Sequence, residues 1–199
     1  RTLTIPDSVT KIDSKAFVGC DMLASVSVGK GLKDLGDYVF DNIDGLKTIT
    51  VSSSNPYFTA QDNVLYNKSM TELIAYPMCR EGSSFTVPST VTKLHTSAFY
   101  KAFDLSSVTF TGAAPTFAAD SFSNVTAEIR FDSAKSGWST AAYRNYGGEL
   151  TWVMVGSTTE TSGICGDQLT WEYDPASSTL TISGTGDMYD YSYQKNPDD

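Results

Sequence analysis

Two segments share one apolar pattern: Leu3-Thr-Ile-Pro-Asp-Ser-Val-Thr-Lys-Ile-Asp-Ser-Lys-Ala-Phe17 and Ser25-Val-Ser-Val-Gly-Lys-Gly-Leu-Lys-Asp-Leu-Gly-Asp-Tyr-Val-Phe40. When Ile5 is placed on Val28, four further apolar positions coincide, and these pairs are Val9 with Leu32, Ile12 with Leu35, Ala16 with Val39 and Phe17 with Phe40. Five matches at a single offset of 23 residues are hard to obtain by chance. The sequence therefore contains an internal repeat, and this repeat has to decide the fold.

The repeat continues along the chain. Leu23-Ala-Ser-Val-Ser-Val28 returns as Leu46-Lys-Thr-Ile-Thr-Val51, and the pattern resumes in residues 85–99 and 105–110 before a degenerate copy that contains Phe117 and Phe122. Each copy has an alternating strand, a turn and an apolar stretch that ends in Ala-Phe or a close variant. A period in this range is typical of leucine-rich repeats. We therefore expect a mainly β solenoid, a right-handed coil of short parallel strands. Its phenylalanines, Phe17, Phe40, Phe99 and Phe122, should form an internal ladder in one continuous core.

Residues 55–77 interrupt the period. Val64-Leu-Tyr66 and Glu72-Leu-Ile-Ala-Tyr76 are rich in β-forming residues and flank Asn67-Lys-Ser-Met-Thr71, a polar segment suited to a turn. The pattern predicts one β-hairpin inserted into a longer coil. Such a hairpin could be a binding protrusion or structural filler, and the sequence favours filler.

The pattern changes again near residue 133. Trp138, Ala142 and Tyr146 recur at helical spacing before Gly147-Gly148, which predicts a short capping helix, followed by a strand over residues 149–155. The solenoid should then span residues 1–155, and the polar segment 156–163 should be a linker. Residues 164–199 form a small β-rich segment, with strands expected over residues 166–173 and 179–183. This segment contains too little apolar sequence to close a domain, so we expect it to be part of a truncated second module.

Composition excludes several classes of function. The 199 residues carry a formal charge of −9, and the isoelectric point near 4.5 argues against binding to nucleic acid or an anionic membrane surface. No apolar run approaches the roughly 18 residues of a membrane span, so we expect no membrane insertion. No export signal is visible at the start. Cys20, Cys79 and Cys165 form no C-x-x-C pair, and we expect each to be a small buried residue.

Residues that could carry chemistry are few. His95 is the sole histidine in the sequence. This excludes two-histidine metal sites and favours a structural, hydrogen-bonded histidine. Gly184-Thr-Gly186 is followed by Tyr189 where a dinucleotide fingerprint needs its third glycine, so this segment is a turn. Asp187 and Asp190 lack the surrounding loop that calcium needs. We expect a non-catalytic protein with no cofactor and no metal; a cryptic glycosidase would need a pair of carboxylates in an apolar setting.

Three recurring phrases resemble a known family: Ile-Pro-Asp-Ser-Val-Thr-Lys-Ile from Ile5, Ser-Lys-Ala-Phe-Val-Gly-Cys from Ser14 and Val-Pro-Ser-Thr-Val-Thr-Lys-Leu from Val87. They look like the BspA-type leucine-rich repeats of bacterial surface proteins. Residues 55–77 resemble the longer coil that interrupts many such arrays. Residues 136–152 look like the segment that often follows the last repeat, and residues 162–188 are similar to a β-rich module of large secreted proteins of gut Firmicutes. The resemblance implies a secreted or wall-attached protein at the bacterial surface, and it fixes no binding residue.

Repeat proteins bind through side chains that recur from coil to coil. The expected outward strand positions form a row of hydroxyls that ends in one cation: Thr4, Ser25, Ser27, Thr48, Thr50, Thr86, Ser107, Thr109 and Arg130. This row would suit a glycan or a protein on a host or neighbouring bacterial cell, although Ser and Thr also suit any exposed strand. Two functions remain open, adhesion through this row and a structural spacer without a ligand of its own. We also expect the open first coil at Arg1 to permit end-to-end self-association.

Overall fold

A computed structural model of the chain describes residues 1–155, 162–166, 169–174 and 179–186. The chain divides into two compact units, Arg1–Gly156 and Ser157–Asp199. Among the described residues there is no α-helix, and none of the described segments is a helix long and apolar enough to span a bilayer.

The first unit is built almost entirely of short strands. They are β1 (Thr2–Ile5), β2 (Lys11–Ile12), β3 (Ser25–Val28), β4 (Asp34–Leu35), β5 (Thr48–Val51), β6 (Phe58–Gln61), β7 (Val64–Asn67), β8 (Glu72–Ala75), β9 (Ser84–Val87), β10 (Lys93–Leu94), β11 (Ser107–Phe110), β12 (Thr116–Phe117), β13 (Thr126–Phe131) and β14 (Glu149–Met154).

The repeat produces parallel sheets, as its alternating pattern predicts. β1, β3 and β5 form one sheet in which Ser25 pairs with Thr2 and Thr48, and β9, β11, β13 and β14 form a second. The two-residue strands line another face, β2 with β4 and β10 with β12. Each repeat thus adds one rung to each face, and the chain is a β solenoid.

Recurring left-handed residues turn the coil at the corner that follows each Ala-Phe element. The residue two positions after the phenylalanine has a positive φ in all four copies, and these residues are Gly19 (φ 77), Asn42 (φ 50), Lys101 (φ 51) and Asn124 (φ 59). Asn and Gly are the residues that adopt this conformation most readily. Neighbouring coils also approach closely at Gly31, where an added Cβ would lie 1.9 Å from the backbone oxygen of Asp7.

The phenylalanine ladder is present but it does not form one column. Phe99 stacks on Phe122 with ring centroids 4.7 Å apart, and both side chains are fully buried. Phe17 stacks on Phe40 at 6.1 Å, with Phe17 half-buried. The core, however, consists of two clusters, a first core around Val26, Ile49 and Phe40 and a second core around Phe99, Val108 and Phe122. The expectation of one continuous column was wrong, because the inserted segment separates the two sets of rungs.

The insertion is a hairpin with an additional strand. β7 and β8 pair antiparallel around residues 68–71, as predicted, and β6 pairs antiparallel with β7 on the other side. β8 then returns to the solenoid and pairs parallel with β10, Glu72 beside Lys93. Alternate residues of β7 belong to different cores, because Leu65 lies in the first core while Val64 and Tyr66 lie in the second.

The predicted capping helix over residues 133–148 was wrong. The only helical turn there is a 3-10 turn at Thr140–Ala142. Residue Gly137 has φ 84, Tyr146 has φ 46 and Ser and Gly are frequent in the segment, which disfavours a helix. The aromatic spacing serves packing on the last rungs instead. Trp138 stacks on Phe131 at 4.7 Å, and Tyr146 stacks on Phe117 at 4.5 Å.

The second unit contains an antiparallel sheet of three strands. They are β15 (Ser162–Gly166), β16 (Leu169–Asp174) and β17 (Thr179–Gly184), with β16 in the centre. β16 and β17 are the predicted pair. The predicted linker 156–163 was wrong at its end, because Ser162 and Gly163 pair with Glu172 and Trp171 in an edge strand that tolerates polar residues. Residues 156–161 of that linker lie outside the described residues.

Candidate functional site

The predicted hydroxyl row is divided between the two larger parallel sheets. Ser25, Ser27, Thr48 and Thr50 lie on β3 and β5, and we call them, with Thr4 on β1, the first stripe. Thr86, Ser107, Thr109 and Arg130 lie on β9, β11 and β13, and we call them the second stripe. Among the described strands, β5 and β9 are not paired. The structure therefore shows two short arrays where the sequence suggested one.

The first stripe is ordered by the strand register. Thr4, Ser27 and Thr50 stand side by side on three neighbouring strands, and Ser25 stands beside Thr48. Thr4 and Thr50 are exposed, whereas Ser25, Ser27 and Thr48 are half-buried. Parallel strands are about 4.8 Å apart, so a ligand that lies across them meets one hydroxyl per strand at that spacing.

Part of this hydrogen-bonding capacity is used within the sheet. The Thr48 hydroxyl donates to Ser25 Oγ at 2.7 Å, and the Thr50 hydroxyl donates to the Val26 carbonyl at 3.4 Å. Each hydroxyl oxygen still has lone pairs to offer, and within the described residues the Ser27 hydroxyl makes no hydrogen bond. This sheet carries two rows of hydroxyls, and the row of Thr4, Ser27 and Thr50 is more available to a ligand than the pair of Ser25 and Thr48.

An open groove of about 420 Å³ follows the carboxyl ends of β1, β3 and β5. Thr4, Ser27 and Thr50 form one margin, and Asp7, Gly29 and Ser52 lie farther along the same groove. The Asp7 carboxylate accepts the Lys30 backbone N–H at 2.9 Å and lies 3.6 Å from the Lys30 ammonium. The groove therefore offers hydroxyls and a carboxylate to a polar ligand.

The second stripe has a different chemical character. Thr109 stands between Thr86 and Arg130, and Ser107 stands between Ser84 and Glu128. The Arg130 guanidinium donates to Glu128 Oε1 at 2.6 Å, so its charge is already paired within the strand. The first stripe is the better candidate for a binding site.

Sequence reasoning missed a second concavity, a cleft of about 150 Å³ between the Tyr38–Asp41 corner, the inserted hairpin and the segment after β10. Its walls include Asp37, Asp41, Phe58, Glu72 and His95. Burial and the negative charge of Asp120 raise the pKa of Asp41 from 3.8 to about 6. These residues come from segments between 35 and 97, and only the tertiary arrangement brings them together.

His95 is hydrogen-bonded to a neighbouring strand, as its place after Leu94 predicts. Its Nε2 lies 2.5 Å from Glu72 Oε2, and Lys93 Nζ lies 3.5 Å from the same oxygen. The hydrogen bond with His95 is the largest cause that lowers the pKa of Glu72, and the charges of His95 and Lys93 act in the same direction. The three side chains link β8 to β10.

The other reactive residues that the structure describes are dispersed. Cys20 is exposed and Cys79 half-buried, both as free thiols, and burial raises the pKa of Cys79. The expectation that every cysteine is buried was therefore wrong for Cys20. Within residues 1–155 and the described strands after them, no three His, Cys, Asp or Glu side chains cluster as metal ligands would. Gly184 and Gly186 lie at the end of β17, while Asp187, Tyr189 and Asp190 lie outside the described residues.

A model of the BspA type leucine rich repeat region matches residues 1–129 and 74–145, with six copies. The chain belongs to this family. The family membership agrees with the solenoid and with the 23-residue spacing. No curated protein matches the sequence.

Three solved structures are similar to the chain. A leucine-rich repeat protein from Eubacterium ventriosum matches at a TM-score of 0.55 and 19% identity, over 77% of this chain and 48% of its own. The pneumococcal vaccine antigen PcpA matches at 0.48 and 21%, over 64% and 36%. A leucine rich cell surface protein from Faecalibacterium prausnitzii matches at 0.47 and 20%, over 79% and 60%. The chain thus spans about half the length of the Eubacterium protein, and the likeness to it shows the fold alone.

Proposed function

We propose that this BspA-type chain is a non-catalytic binding scaffold that acts outside the bacterial cell, at the surface or after secretion. One observation carries the proposal, the alignment of Thr4, Ser27 and Thr50 along one margin of an open groove. The family of bacterial surface proteins to which the chain belongs supports the location.

The ligand proposed for this face is a glycan or an extended protein segment on a host or neighbouring cell. Both ligands present donors and acceptors in a row, and the groove offers matching groups from the hydroxyls of three strands and from the Asp7 carboxylate. The net charge of −9 disfavours nucleic acid as the partner.

Lysine substitutions on the first stripe test the proposal. Ser27→Lys and Thr50→Lys place a long charged side chain in the groove, and we expect the Kd for a bound mucin glycan or matrix protein to rise at least about tenfold. Ser54→Lys, on an exposed residue outside the groove, is the matched control and should leave the Kd unchanged. Binding that all three variants retain would exclude this face as the site.

A structural spacer is the second candidate function. The hydrogen bonds from Thr48 to Ser25 and from Thr50 to the Val26 carbonyl favour it, because they show that some of the row serves the sheet itself. A spacer predicts that the unmodified chain binds no component of a panel of mucins, matrix proteins and cell-wall glycans.

A further inference from the structure

One exposed aromatic ring departs from the pattern of the repeat. The side chain of Phe103 is 69% exposed, although phenylalanine is among the residues most often buried. Phe103 lies four positions after the ladder residue Phe99, and the corresponding residues of the first two copies are Asp21 and Asp44, which are exposed as well. The copy that contains Phe103 therefore presents a large apolar ring to solvent where the first two copies present a charge.

The turn that carries this ring is anchored at both ends. The Phe103 N–H donates to the Lys101 carbonyl at 2.7 Å, and the Leu105 N–H donates to the Ala102 carbonyl at 3.0 Å. Ala102 and Leu105 are fully buried on either side of the exposed turn. The backbone of Phe103 is therefore held in place, so a ligand that stacks on the ring does not have to order the turn first.

A shorter coil beyond this turn leaves a step in the surface. Phe99 stacks on Phe122, which lies 23 positions later. Ser107, however, pairs with Glu128, which lies only 21 positions later. The next coil thus reaches its strand two residues sooner, and it has no counterpart to the exposed pair of residues 103 and 104. Phe103 therefore stands at the edge of a step between two coils.

An open groove of about 430 Å³ lies along this step. Its lining combines the ring with polar side chains and glycine, and we call the following residues the aromatic step: Phe103, Asn124, Thr126, Gly147, Gly148 and Glu149. Asn124, Thr126 and Glu149 are exposed, and the Thr126 hydroxyl donates to Glu149 Oε2 at 3.3 Å. The glycines give the floor no side chains, and a Cβ at Gly148 would lie 2.4 Å from the Val125 carbonyl oxygen.

We propose that the aromatic step is a carbohydrate-binding site for a pyranose whose substituents are equatorial, such as glucose or N-acetylglucosamine. One face of such a sugar consists of C–H bonds, which pack on an aromatic ring, and its rim consists of hydroxyls that need donors and acceptors. Phe103 supplies the ring, the Asn124 amide supplies a donor and an acceptor, and the Glu149 carboxylate accepts. The site shares no residue with the groove beside the first stripe, so it does not depend on the function proposed above.

The composition of the aromatic step favours a sugar over a protein partner. Aromatic hot spots of protein interfaces lie in pockets that become fully desolvated, within a buried area of about 800 Å² on each partner. Among the described residues that line this groove, Phe103 is the sole exposed apolar side chain, and its neighbours are polar residues and glycine. One ring beside an amide, a hydroxyl and a carboxylate matches the mixed apolar and polar surface of a single sugar.

Titration of the full chain with two tetrasaccharides tests the site. The probes are cellotetraose, which is built of glucose, and chitotetraose, which is built of N-acetylglucosamine. We expect saturable binding of at least one probe in amide NMR spectra, with shift changes at Phe103, Thr126 and Glu149. Phe103→Ala should raise the Kd about tenfold because stacking on the ring is lost, whereas Phe103→Trp should keep the Kd or lower it. Since Phe103 is exposed, both variants should fold as the unmodified chain does.

Matched variants separate the aromatic step from other surfaces. Tyr57→Ala removes another exposed ring that lies outside the groove, and it should leave the Kd unchanged. Ser27→Lys obstructs the groove beside the first stripe and should also leave the Kd unchanged, so the failure of one site is distinguishable from the failure of the other. Phe103→Asp, which installs the residue type found at positions 21 and 44, should bind as weakly as Phe103→Ala.

Four results would overturn the carbohydrate site. The first is the absence of saturable binding of either tetrasaccharide, and the second is an equal Kd for the unmodified chain and Phe103→Ala. The third is a set of shift changes confined to residues outside the aromatic step. The fourth is a Phe103→Ala variant that loses binding to a matrix protein stripped of its glycans while neither tetrasaccharide binds the unmodified chain, which would make the step a protein contact.

Discussion

Asn55 is a buried amide that joins the end of the second coil to the insertion. Its side chain is fully buried, its Nδ2 donates to the carbonyls of Gly29 and Leu32 at 2.9 and 3.1 Å, and its Oδ1 accepts the N–H groups of Tyr57 and Phe58 at 2.8 Å each. The amide thus uses both donors and both acceptor positions. It takes the place of a strand rung where the parallel sheet ends.

Replacement of Asn55 should be costly. We expect Asn55→Ala to lower the free energy of unfolding by about 3 kcal/mol, because four backbone groups lose their hydrogen-bond partner, the carbonyls of Gly29 and Leu32 and the N–H groups of Tyr57 and Phe58. Urea denaturation followed by tryptophan fluorescence measures the loss. Ser54→Ala, at an exposed neighbour, should change the free energy by less than about 0.5 kcal/mol. A loss below about 1 kcal/mol for Asn55→Ala would show that solvent replaces the amide.

Ser121, in contrast to Asn55, is a buried polar residue whose hydroxyl is unsatisfied. Its side chain is fully buried, and its Oγ has no hydrogen-bond partner among the residues that the structure describes. The equivalent positions in the other copies hold Ala16, Val39 and Ala98. We expect Ser121→Ala to raise the free energy of unfolding by about 1 kcal/mol, since a desolvated hydroxyl is removed at almost constant volume. Differential scanning calorimetry measures the change; a lower melting temperature would mean that the hydroxyl has a partner.

At the scale of elements, β8 is held to β10 by charge as well as by backbone bonds. Glu72 lies between His95 and Lys93, and both lower its pKa. For a carboxyl with a lowered folded-state pKa, the stabilisation is complete above the ordinary pKa and disappears as the pH falls through the lowered value. The side chain is about one-third exposed, so solvent screening keeps the contribution small.

Glu72→Gln should therefore destabilise the protein in a pH-dependent way. We expect a loss of at most about 1 kcal/mol near pH 7, and we expect this loss to shrink as the pH falls below the ordinary carboxyl pKa of 4.5. Urea midpoints at several pH values test this. Glu81→Gln, which removes an exposed partner of Lys47, is the control and should show no loss at any pH. If Glu72→Gln destabilises the protein equally at acid and at neutral pH, the loss comes from packing and not from the charge of Glu72.

On the scale of the whole molecule, the first unit contains both of its cores and all of the parallel strands. A fragment that ends at Gly156 should fold alone and keep the unfolding free energy of this unit within about 1 kcal/mol. Trp138 and Trp152 report its folding by fluorescence without interference from Trp171. If the tryptophan fluorescence of this fragment is that of solvent-exposed side chains, the fragment does not fold and the boundary of the first unit is not at Gly156.

The sequence predicts the parts of the fold that depend on periodic apolar residues. The 23-residue spacing predicts the rungs, the buried faces of β3 and β11 and the stacking of Phe99 on Phe122. Prediction from spacing fails where the same spacing fits two different structures. Trp138, Ala142 and Tyr146 have the spacing of a helix, but Trp138 and Tyr146 instead stack on aromatic side chains of the last rungs. The groove margin was predictable from strand alternation. The cleft around Asp41 was not, because burial and the proximity of Asp120 arise only when the insertion lets distant corners meet.

The insertion ties the two halves together through β7, whose successive side chains enter different cores. Because successive residues of a strand point to opposite faces, deletion of one residue within β7 would send tyrosine where leucine now fits and leucine where tyrosine fits. Removal of two residues would preserve the assignment. The strand thus sets a parity rule: a length change of odd size within β7 would exchange the side chains that enter the two cores, whereas a change of even size would not.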